Sequence, residues 1–443
     1  MDRCRALLVA LAAGLALTAC SDPADPVSRM PQTASPSPPV TTGQSASPAP
    51  PSTSPSAAVA ADDPLVVVTH ATRPRLRLTS AEAADLVARR GSGGVVGSVR
   101  AVERHPGAIG VVGLSEVGPT VTAALVGGVD PVRDHDGATT LVVTGDAMLT
   151  RGVPDPAAAL GPMRAFLRSA DLTVGNLEST LSTDGRPQQG GDSFGGSPAL
   201  VPVLEDAGYD ALSLANNHTG DFGEQALLQT VRSLERSAVR PFGAGADLAE
   251  AARPAILRAG GTSFAFLGFN AIGETPMAGP DTSGALAVRM PPRTGPLVEA
   301  DLARVAAAIR AAHHSADVVV VMPHWGTQYT HVPDTVERVV ARRLVSAGAD
   351  LVVGGHPHWV QGVDMVDGVP VLHSLGNFLF DMDFSAETME GVVLRATYWG
   401  SELKALQLLP YRMDQRTFAP RRVPGRDILD GVWSTSTGPF AAG

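Results

Sequence analysis

From Thr139 onward, short apolar runs alternate with amphipathic ones, and nearly every apolar run ends in a polar side chain. The apolar runs read LVVTGD, LTVGNLE, ALSLANNH, FAFLGFN, VVVVMPHW, DLVVGGH and VPVLHSLGNF. Between most of them lie stretches such as DPAAALGPMRAFLRSA, GEQALLQTVRSLERS, LVEADLARVAAAIRAA and PDTVERVVARRLVSAG, whose apolar spacing suits helices with one buried face. This alternation predicts an α/β fold with helices covering a sheet. It also predicts a site, because such folds keep their chemistry at the strand ends.

The strand exits deliver Asp146, then Asn176 and Glu178, then Asn216, Asn217 and His218. They continue with His324, and with His356 and His358 in GGHPHWVQG. A proline fixes its own φ and favours an extended residue before it, so Pro357 is expected to hold the two imidazoles in a defined relation. Carboxylate, amide oxygen and imidazole are ligand types that Zn, Mn and Fe accept, and this number of them could hold two ions. Such a site polarises an ester oxygen and lowers the pKa of a water, so hydrolysis is the chemistry it most naturally supports. Each residue alone also has an ordinary structural explanation. Asp146 follows Gly145 as in a turn, Asn176 and Glu178 stand where caps occur, and His324 beside Trp325 suits a core. Recurrence favours the site, since every exit from Asp146 to His358 except FAFLGFN carries a candidate ligand.

The chain of 443 residues carries 44 acidic against 34 basic residues and has no Lys/Arg-rich block, which argues against a nucleic-acid partner. Residues 1–20, MDRCRALLVALAAGLALTAC, join a basic start to a short apolar run, as a secretion signal does. The ending Leu17-Thr18-Ala19-Cys20 resembles a bacterial lipobox, which implies cleavage before Cys20 and a lipid on it. The protein is then exported and anchored to the outer face of the membrane, with no disulfide in the mature chain, since Cys4 leaves with the signal. Residues 21–62, rich in Pro, Ser, Thr and Ala, read as a disordered tether. Residues 63–135 read as a small α/β module, with a strand at PLVVVTH and a helix capped at Thr79 or Ser80. The stretch THATRPRLRLTSAEAADLV resembles part of periplasmic solute-binding domains, and a structural or docking role is equally open. The main domain is expected over 139–425, with 426–443 as a tail. Two loops, 183–198 and 270–285, are expected to border the site or to be plain surface. Arg151 and Arg186 are candidate anion contacts.

GDAMLTRG, GNLES, LANNHTGDFG, GAGADLAEAARPAIL, MPHWGTQY, AGADLVVGGHPHWVQGV and HSLGNFLFD stand in this order between Thr140 and Asp381. Together they resemble the CapA-type poly-γ-glutamate synthesis family, which is similar to a divergent branch of the calcineurin-like metallophosphoesterases. The resemblance implies a four-layer sandwich, two sheets between helices. It implies that Asp146 and His358 hold a first ion, that Glu178 bridges, and that Asn217, His324 and His356 hold a second. His218 is the implied general acid, a role that suits an imidazole. Asn176, Asn216, Trp325, Gln328, Asn377 and Arg151 are implied to support the ligands or face substrate. The chain departs from the phosphoesterase Asp-x-His pattern at Met148, whose thioether is a weak ligand for these ions, so one or two ions remain open. Gln328 stands where the family usually has Glu, and His373 where it usually has Tyr. The implied function is a metal-dependent hydrolase or transferase in capsule or envelope polymer synthesis. Its implied partners are an anionic polymer or phosphoester, the membrane through the lipid, and other polymer-synthesis membrane proteins. The alternative is a non-catalytic subunit that binds or guides an anionic polymer.

Overall fold

The run VVVVMPH at Val318–His324 is buried along its whole length, as is TSFAFLGFN at Thr262–Asn270. Strands buried on both faces read as continuous apolar runs, because each face must find cover. In the computed structural model, which describes residues 63–441, that cover comes from a second sheet on one side and helices on the other. The signal segment, Cys20 and the tether lie outside the described residues.

Two sheets form the frame. The eight-stranded sheet runs Arg240–Phe242, Ala211–Ser213, Leu172–Leu177, Ala138–Ala147, Glu390–Trp399, Glu402–Met413 and Pro420–Arg422, with Asn377–Leu379 pairing beside Ala138–Ala147. Its first four strands are mutually parallel and its last three antiparallel. The six-stranded sheet runs Ala255–Ala259, Thr262–Asn270, Val318–His324, Leu351–Val353, Val369–Leu372 and Val363–Val366, with parallel strands at its centre.

Side-chain alternation sorts the layers. Leu141, Val143, Phe264, Phe266, Val318 and Val320 meet in one cluster between the sheets. Their neighbours turn the other way. Val142 packs with Leu160 and Met163 of the helix Pro156–Leu167 and Leu227 and Val231 of Glu224–Glu235. Ala265, Leu267, Val319 and Val321 pack with Val305 of Glu299–Ala312 and Leu344 of Thr335–Ser346. All four helices fall in the amphipathic stretches where the sequence predicts them. Truncating a ring such as Phe266 to Ala in this interior costs about 3–5 kcal/mol.

The single apolar run VPVLHSLGNF proves to serve both sheets. Val369–Leu372 belongs to the six-stranded sheet, whereas Asn377–Leu379 pairs with Ala138–Ala147 in the other. The segment expected as a tail after 425 instead forms the helix Arg426–Trp433, whose Ile428, Val432 and Trp433 join Phe440 in the cluster between the sheets. Its apolar positions are spaced to bury one helical face.

The 63–135 region holds a four-stranded sheet, ordered Val95–Val96, Ile109–Gly113, Leu65–His70, Val121–Ala123, and two helices. Thr79 caps the first helix in a reciprocal pair with Glu82. Val68, Val102 and Val112 share a cluster with Ala405, and the Trp399 Nε1 donates to the Val132 carbonyl at 2.9 Å.

Glu337, in the first turn of Thr335–Ser346, accepts from the Asp334 N–H at 2.5 Å but is otherwise enclosed. Burial, opposed by that hydrogen bond, pushes its carboxyl up to about 8. A raised folded-state pKa means that this group's contribution is complete at acidic pH and is lost as pH rises through about 8. The melting temperature of wild type is therefore expected to fall relative to Glu337→Gln between about pH 5 and about pH 9 in calorimetry. Parallel curves for the two proteins would show that the fold does not raise the Glu337 pKa.

Candidate metal centre

Strand register brings the polar exits together. Asp146 pairs with Asn176 on one side and Asn377 on the other, Asn176 pairs with Ser213, and His324 bridges to Gly355. Glycines make the approach possible. A Cβ on Gly355 would lie 2.4 Å from Asp146 Oδ1, and one on Gly145 would lie 1.9 Å from the Gly376 carbonyl oxygen.

The loop after Val353 departs from the expected geometry. His356 precedes a proline yet has φ of 95°, and His358 has φ of 59°. Both are in the left-handed region, which non-glycine residues adopt only when their surroundings hold them there. The hold is visible, since the His356 N–H donates to Asp146 Oδ2 at 2.8 Å. His358 Nδ1 donates to Asn377 Oδ1 at 2.8 Å. The proline rule is overridden, and both rings turn inward.

Two ligand groups result. Glu178, His324 and His356 place one donor atom each within 4.8 Å of one another, and so do Asp146, Glu178 and His358. Glu178 belongs to both groups. Asn217 Oδ1 lies 2.8 Å from His324 Nε2, which lies 3.6 Å from Glu178 Oε1. Both Glu178 oxygens and both His356 ring nitrogens are buried with no hydrogen-bond partner among the described residues. Buried polar atoms of this kind call for a partner, and a cation shared by carboxylate and imidazole would satisfy the Glu178 oxygens and one of the two His356 nitrogens. The residues therefore fit a divalent ion.

Electrostatics point the same way. Burial pushes the Asp146 carboxyl up to about 6, against hydrogen bonds from His356 and Asn176. Burial first, then repulsion from Asp146, Asp221 and Glu274, raises Glu178 far above the usual carboxylate range, with Arg151 opposing. Burial likewise depresses His324 and His356 strongly and His358 to about 4, which leaves neutral rings with free lone pairs. Neutral imidazole is the ligand form, and a bound cation would restore the carboxylates to their charged state.

Supporting residues surround these groups. Asn176 Nδ2 donates to Asp146 Oδ1 at 2.8 Å and lies 3.3 Å from His324 Nδ1. Asn216 Nδ2 donates to Asn176 Oδ1 at 3.0 Å and to the Leu177 carbonyl at 2.8 Å. Trp325 is fully buried in the core and donates to the His373 carbonyl, away from the ligands. Gln328 is half-buried with no side-chain hydrogen bond among the described residues. Met148 lies in the core, its sulfur accepting from the Thr150 N–H and hydroxyl at 3.2 Å each. Arg151 is paired with Asp381, at 2.8 Å from Nε, and stacks 4.4 Å over the Phe194 ring.

His218 Nδ1 meets Asp221 Oδ2 at 2.8 Å, while its Nε2 faces Glu178 Oε1 at 3.8 Å. Its ring stacks on Phe194 at 3.7 Å. The 183–198 loop thus borders the site through Phe194, and Gln189 reaches Asp221 and, at 3.3 Å, the Asn217 carbonyl. The 270–285 loop borders it through Glu274, which accepts from Asn217 Nδ2 at 2.7 Å and from Arg293 at 2.6 Å. Sequence reasoning missed Asp221, Glu274, Phe194 and Tyr329. The i,i+3 spacing of Asp221 from His218 offered a signal for the first. Tyr329, which stacks 5.9 Å from His358 and is 39% exposed, offered none.

A family model described as "Bacterial capsule synthesis protein PGA_cap" matches residues 140–382, and the chain belongs to that family. It is 28% identical over 286 residues to the PGA biosynthesis protein CapA of Bacillus subtilis (strain 168), covering 62% of this chain and 72% of that protein. It is 28% identical over 269 residues to the capsule biosynthesis protein CapA of Bacillus anthracis, covering 58% of this chain and 64% of that one. Among solved structures, a hypothetical protein from Thermus thermophilus aligns with a TM-score of 0.41 and 16% identity, over 62% of this chain and 99% of its own.

Adding Mn²⁺ to chelator-treated protein is expected to raise the melting temperature in differential scanning fluorimetry, because only the folded state gathers the ligands. Glu178→Gln and His356→Ala should remove most of the rise. An equal rise in all three proteins would place the ion elsewhere.

Proposed function

We propose that this chain is an exported, lipid-anchored, metal-dependent hydrolase or transferase of the calcineurin-like type. It would act on a phosphoester or an anionic polymer end in poly-γ-glutamate or related envelope polymer synthesis. The observation that carries the reading is the pair of ligand groups sharing Glu178, with His218 held beside them by Asp221. Layering of helices, sheet, sheet and helices, with the site at the parallel strand ends, supports the sandwich assignment. The export and anchor rest on the signal-like start and Cys20.

Mn, Zn or Fe bound there, as one or two ions, supplies a Lewis acid for the ester oxygen and a water of lowered pKa. Glu178, common to both groups, fixes their separation. Asn377 orients His358, and Asn217 sits beside His324 to complete the other group. Asp221 accepts the Nδ1 proton of His218, which leaves Nε2 facing the centre to deliver a proton to a leaving oxygen. Phe194 restrains that ring, and Tyr329 borders the entrance over His358. The alternative, a non-catalytic polymer-binding subunit, draws on Met148, whose sulfur is engaged with Thr150 rather than offered as a ligand.

Full-length protein purified in detergent is expected to carry a divalent metal by elemental analysis and to cleave a member of a phosphomono- and phosphodiester panel. His218→Asn should keep the metal and lose about 10²–10⁴ of the turnover. Metal-free protein, or equal turnover in both, would sink the hydrolase reading.

A further inference from the structure

Arg395 lies on Glu390–Trp399 with its guanidinium half-buried and no carboxylate beside it among the described residues. Its Nε and Nη2 reach only Gln407 Oε1, at 3.1 and 2.7 Å. Around it opens a cleft of about 620 Å³, a volume in the range of ligand pockets. Seven arginines line it: Arg73, Arg75, Arg77, Arg133, Arg395, Arg422 and Arg426. No Asp or Glu lines it among the described residues. Arg75, Arg133 and Arg426 have carboxylate partners in Asp130, Asp134 and Asp430. Arg73, Arg77, Arg395 and Arg422 have none among the described residues. A second cavity of about 210 Å³, bounded by Thr140, Ser169 and Ala170, adjoins the first at Arg133 and Arg395.

Such a concentration of cation is out of keeping with a chain of net charge −10. Crowding is felt at Arg395, whose pKa falls to about 10 through burial and then the charge of Arg133, with Asp130 opposing and Arg422 and Arg75 adding. Like charges held together in a partly dry cleft raise the free energy of the empty protein, and an anion there relieves it. The cleft lies apart from the candidate metal centre. Arg395 pairs with Val142, four residues before Asp146 and so about 13 Å back along that strand, and Thr140 and Ala170 stand near the strand starts.

We propose that this arginine-lined cleft binds a polycarboxylate chain, gripping successive carboxylates while another part of the polymer is free to reach the metal centre. Guanidinium forks match carboxylates in a bidentate manner, and several forks lining one cleft suit a repeating anion better than a single small one. A concave cleft of this size admits an extended chain more readily than a flat bilayer surface. Leu406, Leu408 and Leu409 add apolar wall for the methylenes between charges. The proposal rests on the reading of the chain as a partner of an anionic envelope polymer.

Fluorescein-labelled poly-γ-glutamate, titrated with the full-length protein in detergent, is expected to show saturable anisotropy that weakens with added salt. Arg395→Gln with Arg422→Gln should weaken binding about tenfold or more. Arg73→Gln with Arg77→Gln, on the exposed side of the cleft, should weaken it with no change in melting temperature. His356→Ala should bind the polymer as wild type does while losing metal, which separates this proposal from the hydrolase reading. Unchanged polymer affinity in both arginine variants would overturn it. So would displacement of the polymer by inorganic phosphate, or binding of phosphatidylglycerol vesicles in place of the polymer.

Discussion

Placing a carboxylate in a protein interior with no hydrogen bond carries a desolvation penalty of several kcal/mol unless a cation or a proton meets it. Glu178 is in that position, and much of the surrounding architecture answers to it. Three imidazoles converge on it as neutral donors, Asp146 stands beside it, and burial prevents either carboxyl from ionising easily without a cation. Strained backbone at His356 and His358 is sustained by the same arrangement, because Asp146 and Asn377 anchor the two residues. A divalent ion there would give the partnerless Glu178 oxygens a partner and return both carboxyls to their charged form.

The ring of residues behind the ligands carries equal weight. Asn176 ties Asp146 to the neighbourhood of His324, Asn216 holds Asn176, and Asp221 holds His218. A metal centre depends on such outer contacts for ligand orientation and tautomer. Met148 marks the limit of the design. Its side chain lies in the core with the sulfur turned to Thr150, so the His358 group comprises Asp146 and Glu178 alone among the described residues.

The candidate ligands were legible in the sequence because the short apolar runs announce strands and each strand end announces a site position. Asp146, Glu178, His324, His356 and His358 could all be read in this way. The four long amphipathic helices were equally readable. Other features were hidden for physical reasons. Glu274 and Tyr329 come from irregular loops, whose path no periodicity encodes, and Asp221 sits in a turn rich in ordinary turn residues. Helix Arg426–Trp433 looked like a tail because its partners, Val392 and Leu406 among them, are contributed by strands that precede it. The arginine cleft was invisible for the same reason. Its arginines run from Arg73 to Arg426, and only the fold brings the RPRLR run at 73–77 into one cleft with Arg133, Arg395 and Arg422.

The chain passes from one sheet to the other between Leu372 and Asn377, and each ligand group draws on both sheets. Asp146 and Glu178 come from the eight-stranded sheet, whereas His324, His356 and His358 come from the six-stranded one. Neither half of the sandwich owns a centre of its own. Either ligand group is therefore complete only where the two halves stand in register, so the geometry of the candidate centre reports on the seating of one sheet against the other.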